Sequence, residues 1–102
     1  MKKLLIVEDE KMIRQGLKSI AMRAPVKIEQ IIECKNGEEA LEVVKNEVID
    51  VMITDIRMPG KDGITLVKEI QDLPHVPKTV VISGYDDFNY AVELLRCGAK
   101  DY

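Results

Sequence analysis

Short apolar runs alternate with segments whose apolar residues recur at helical spacing, and that alternation leaves few folds open to the chain. Lys3 to Val7, Ile28 to Cys34, Val51 to Thr54 and Thr79 to Ser83 read as strands. Between them Ile13, Leu17, Ile20 and Ala21, then Ala40, Leu41 and Val44, then Ile64, Val67 and Ile70 mark the inner stripes of three helices. Phe88, Ala91, Val92 and Leu95 form a fourth stripe with Gly98 placed to cap it, and Ala99 to Tyr102 reads as the opening of a fifth strand. Pro25, Asn36-Gly37, Pro59-Gly60 and Pro74 punctuate the elements. A run as continuously apolar as 51–54 suits a strand covered on both faces. The expected architecture is α/β, a doubly wound parallel sheet with right-handed crossovers. With 102 residues a chain buries only roughly 60 to 65% of its unfolded surface, so nearly every apolar position must contribute to one core and residues 1–102 are expected to form one domain.

Charge and hydropathy narrow the partners. Fifteen Lys and Arg against 18 Asp and Glu leave a net charge of -3, without the basic face that nucleic acid requires, so any DNA contact must come from elsewhere. The longest stretch free of Asp, Glu, Lys and Arg is Thr79 to Tyr85, far below the ~20 residues of a membrane span. Lys2-Lys3 precedes apolar residues, but Glu8-Asp9-Glu10 interrupts them after four, which is no secretory signal. A cytoplasmic location is expected. Cys34 and Cys97 lack metal-ligand spacing and fit reduced thiols in or near the core. His75, between Pro74 and Pro77, has nothing in the sequence to pair with.

In an open α/β sheet the ligand site lies beyond the carboxyl ends of the strands. Glu8-Asp9 follows the first expected strand, Asp55 the third and Ser83 the fourth. Three carboxylates at one sheet edge repel one another and resist ionisation unless a cation lies between them. Mg²⁺ suits such a place: it takes oxygen ligands, keeps several waters, and commonly uses one or two carboxylates with a phosphate. Alone, Glu8 and Asp9 would serve equally well as acids at a helix N-terminus. Asp55, at the end of a very apolar strand, tips the reading towards function.

Val7-Glu8-Asp9-Glu10, the run Thr54 to Gly63, Ser83-Gly84-Tyr85 and Gly98 to Tyr102 together resemble the signature segments of two-component response-regulator receiver domains. The likeness covers the whole chain, and its four motifs fall in order at expected strand ends. The resemblance implies a flavodoxin-like sheet of order 2-1-3-4-5. It further implies that Asp55 is the phosphoacceptor for a sensor histidine kinase, and that Glu8, Asp9 and Asp55, with the backbone carbonyl of Arg57, hold Mg²⁺. Ser83 would be the switch hydroxyl and Tyr102 the aromatic switch. Phosphoryl transfer suits such a site, because it is catalysed mainly by positioning and positive charge. Receivers carry a Lys three residues beyond the position matched by Tyr102, followed by Pro, and Lys100 precedes that position. The chain is therefore expected to be the front of a longer regulator, with its fifth strand only begun and its last helix absent, and to self-associate through the exposed C-terminal edge. The run Gly84 to Ala91 is similar to receivers joined to an AraC-type helix-turn-helix output domain. That similarity implies a transcription factor whose DNA contacts come through the output domain.

Three rival readings compete. A haloacid dehalogenase-type phosphatase also places an Asp after a parallel strand, but needs a second acid two residues on, where Arg57 stands. A flavin or nucleotide binder needs a first loop that holds phosphate, whereas Glu8-Asp9-Glu10 repels anions. An interaction module that keeps the receiver fold without being phosphorylated is the stronger rival.

Overall fold

The computed structural model describes residues 3–24 and 27–83. β1 (Lys3–Val7) lies between β2 (Gln30–Cys34) and β3 (Val51–Asp55), and β4 (Lys78–Ile82) pairs with the far side of β3. All the pairings are parallel and the order is 2-1-3-4, the flavodoxin-like arrangement expected. α1 (Lys11–Arg23), α2 (Gly37–Asn46) and α3 (Gly63–Ile70) make the crossovers. The expected fifth strand and fourth helix, with Cys97 and Tyr102, lie outside the described residues, as does Pro25; of the edge assigned to self-association only β4 is described.

The period-two alternation of a strand sends neighbouring side chains to opposite faces, and β1 uses both. Leu4 and Ile6 pack with Leu17 and Ala21 of α1 and with Ile53 of β3. Leu5 and Val7 face the other way, to Ala40 and Val44 of α2, Leu66 and Ile70 of α3, and Met52. All four residues of this β1 run are at most 1% exposed, each burial stabilising by roughly 1.5–3 kcal/mol. Cys34 is a buried free thiol, pushed up to about 11 mainly by that burial.

Several boundaries differ from the expectation, each for a local reason. β2 begins at Gln30, opposite Lys3, while Ile28 packs against the α1-side core from outside the strand. Asp55 is the last residue of β3, paired with Ile82, and Ser83 stands just beyond β4. Asn36 is more than a turn residue: it caps α2, its Oδ1 accepting from the Glu39 N–H at 2.8 Å. Asp62 caps α3 in the same way through the Thr65 N–H at 2.8 Å, which holds its carboxyl below the usual range. The inner stripe of α3 is Leu66 and Ile70; Ile64 is 44% exposed and Val67 only partly buried. Gly63 sets that rotation. A Cβ there would stand 2.2 Å from the Asp55 carbonyl oxygen, so this position faces the sheet and turns Ile64 outward.

Candidate functional site

The carboxyl ends of β1 and β3 are adjacent strand ends, and this adjacency builds the site. Carboxylate oxygens of Glu8, Asp9 and Asp55 all lie within 4.8 Å of one another. Glu8 and Asp9 follow β1 directly, and Glu8 is only 4% exposed. Its backbone is tied to β2, the Glu8 N–H donating to the Cys34 carbonyl at 3.0 Å. Its Oε2 accepts from the Glu10 N–H at 3.0 Å, and Glu10 rather than Glu8 or Asp9 occupies the N-cap position of α1. Burial pushes the Glu8 carboxyl from 4.5 up to about 7; the Asp9 side chain bonded to it and the Asp55 and Asp9 charges add to the rise, while the Glu10 N–H opposes it.

Asp55 is aimed by its backbone. The hydroxyl of Thr54, a fully buried residue, donates to the Asp55 carbonyl at 3.0 Å. The next peptide is clamped from two sides: Ile56 N–H donates to the Ile82 carbonyl at 3.0 Å, and the Ile56 carbonyl accepts from Gly63 N–H at 2.9 Å. The loop that follows turns through Gly60, whose φ of 76° falls in the left-handed region glycine tolerates. Arg57 is exposed on this loop and borders a cleft with Ile56, Met58, Pro59 and Asp62. Ser83 is exposed one residue past β4, at the same edge of the sheet. Tyr102 lies outside the described residues.

The donor set is all oxygen, compact and strongly anionic, which selects a hard divalent cation over soft or redox metals. Oxygens around a small octahedral ion lie about 3 to 4 Å apart, so a cluster of this spread fits an ion that retains some of its waters.

The family model for the response regulator receiver domain matches residues 4–102. This chain belongs to that family. Similar relatives include the uncharacterized transcriptional regulatory protein YesN of Bacillus subtilis, 33% identical over 102 residues, all of this chain and 28% of that protein. The transcriptional regulatory protein HptR of Staphylococcus aureus is 36% identical over 100 residues, 98% of this chain and 39% of that protein. The chain thus spans well under half the length of these curated relatives. Among solved structures, the receiver domain of the hybrid histidine kinase CckA superposes with a TM-score of 0.76 at 28% identity, covering 96% of this chain and 99% of that one. A two component transcriptional regulator AraC from Clostridium phytofermentans superposes with a TM-score of 0.73 at 34% identity, covering 88% and 73%.

In this receiver domain the sequence pattern brings Glu8, Asp9 and Asp55 to one edge but does not mark the groups that aim them. In sequence Thr54 reads as one more residue of a buried strand. Arg14, whose Nη1 donates to the Glu8 carbonyl at 2.9 Å, reads in sequence as one cation on a polar helix face. No periodicity or spacing rule singles out either. Among the described residues no helix is long and apolar enough to cross a membrane.

Proposed function

We propose that this chain is a single phosphoacceptor receiver domain of a two-component response regulator, with Asp55 as the acceptor and Glu8, Asp9, Asp55 and the Arg57 backbone carbonyl as ligands for Mg²⁺. One observation carries the reading: three carboxylates converge at the β1 and β3 ends with their oxygens within 4.8 Å of one another, one of them buried and raised to about 7, an arrangement whose full ionisation a cation between them would favour. An Asp55 oxygen attacks the phosphorus of a phosphohistidine on a sensor histidine kinase; the new O–P bond forms as the N–P bond breaks, and the imidazole leaves. When bound, Mg²⁺ supplies positive charge against the phosphoryl oxygens. The chain's own part is to hold Asp55 in place through Thr54 and the Ile56 clamps and to keep Glu8 and Asp9 beside it.

The acyl phosphate adds charge and acceptor oxygens. Ser83, just past β4, is the hydroxyl assigned to donate to one of them, and Tyr102 the ring assigned to follow its movement. The protein assists its own phosphorylation without being a turnover enzyme. The transcriptional relatives and the AraC-type neighbour support an output domain that contacts DNA, and a regulator that acts on DNA would work in the cytoplasm.

Acetyl phosphate with Mg²⁺ tests the assignment by intact mass. One phosphoryl group is expected on the protein extended through the Lys and Pro that receivers carry beyond the position of Tyr102, and none on its Asp55→Asn variant or in EDTA. Labelling that survives undiminished in Asp55→Asn overturns the assignment, and an extended protein refractory to both acetyl phosphate and kinase favours the unphosphorylated interaction module.

A further inference from the structure

The Glu8 peptide is held on both sides by a closed circuit through β2 and α1. Its N–H donates to the carbonyl of Cys34 at 3.0 Å, and its carbonyl accepts from Arg14 Nη1 at 2.9 Å. Arg14 Nε in turn faces Oε1 of Glu33, the residue before Cys34 on β2, at 3.5 Å. The other carboxylate oxygen of Glu33 is taken by Lys18, one helical turn beyond Arg14, at 3.3 Å. Glu33 pairs in register with Ile6, whose side chain packs on the α1 side, and so it stands where α1 can reach it. The Arg14 side chain is 16% exposed. A planar guanidinium can bridge two such partners at once, whereas an ammonium is a single point of charge.

We infer that Arg14 is a positioning residue of the cation pocket: by tying the Glu8 carbonyl to Glu33 it fixes the turn from which the Glu8 and Asp9 carboxylates project towards Asp55. The inference rests on the reading of these carboxylates as Mg²⁺ ligands. Arg14 needs no contact with the ion, and its effect is opposite in sign to that of its charge. A nearby cation repels Mg²⁺, so removing charge alone would tighten binding. Removing the anchor loosens the ligands and weakens it.

Calorimetric titration of the purified protein with Mg²⁺, well below its unfolding temperature, separates the two. Arg14→Gln is expected to raise the Mg²⁺ dissociation constant about tenfold, the low end of what losing an outer-shell partner costs a metal site. Arg14→Lys keeps the charge without the fork and gives a smaller weakening, and Glu33→Ala, which leaves Arg14 without its brace on β2, gives one of a few fold. Lys18→Gln removes an equal charge from the same carboxylate without touching Glu8 and leaves the affinity unchanged. Unchanged or tighter Mg²⁺ binding by folded Arg14→Gln overturns the inference, as does equal weakening by Lys18→Gln. If Arg14→Gln fails to fold, wild-type affinity in both Arg14→Lys and Glu33→Ala overturns it equally. Wild-type protein that binds no Mg²⁺ removes the metal reading itself, whereas wild-type binding that Asp9→Ala abolishes and the Arg14 variants do not alter removes only the role of Arg14.

Discussion

Glu8→Gln tests whether the acidic pocket is held together against its own charge. In the metal-free fold the Glu8 carboxyl titrates at about 7 instead of 4.5, first because it is buried and then because Asp9 and Asp55 face it. The folded state therefore holds this proton more tightly than the unfolded state does. The stability it brings is fully present below about pH 4.5 and is lost as the pH rises towards 7. The size of the rise puts a ceiling of about 3 kcal/mol on the loss, and relaxation of the half-buried neighbours brings the expected value to about 2 kcal/mol. An amide at position 8 can still accept from the Glu10 N–H, so the variant removes the charge and keeps the bond.

In EDTA at pH 8 the variant should unfold roughly 10 °C above the wild type, given about 4–8 °C per kcal/mol for a domain of this size. At pH 4.5, where the wild-type carboxyl is already protonated, the two should unfold together. Saturating Mg²⁺ at pH 8 should raise the wild type and leave the variant nearly unmoved. Thermal unfolding followed by circular dichroism measures all three. A variant less stable than wild type at pH 8, or one equally stabilised at both pH values, would refute the electrostatic account.

Gly63→Ala should cost about 2–4 kcal/mol in urea unfolding, because its Cβ would meet the Asp55 carbonyl oxygen at 2.2 Å and the carbon behind it at 3.1 Å, and backbone rather than a flexible side chain must give way. Thr54→Val removes the donor to that same carbonyl and should cost about 1 kcal/mol, with slower phosphorylation of Asp55 by acetyl phosphate; an unchanged rate would show that the β3 backbone alone aims the acceptor. Asn36→Ala should lower stability by about 1 kcal/mol through loss of the α2 cap, and Asn36→Ser should recover most of it in the same denaturant titration.

What could be read from the sequence was whatever has a period. The β1 run Leu4 to Val7 and the stripes Leu17–Ala21 and Ala40–Val44 gave the elements and their alternation, and a ligand site beyond the carboxyl ends of parallel strands brings in Glu8, Asp9 and Asp55; the order of the strands came from the family resemblance, not from any period. In α3 the same rule named Ile64 and missed Leu66, since both lie in a helix apolar enough to offer more than one stripe. The choice was made by a contact with no period: Gly63 must lie against the Asp55 carbonyl, and that fixes which side of α3 meets the sheet. Arg14 was hidden for a related reason. Its partners, a main-chain carbonyl six residues back and a carboxylate on β2, belong to no pattern of side-chain types and exist only once β1, β2 and α1 are assembled. Residue identity thus reveals the groups expected to do the chemistry, because carboxylates gather after more than one strand of the same sheet, while the groups that aim them act through backbone atoms that every sequence shares.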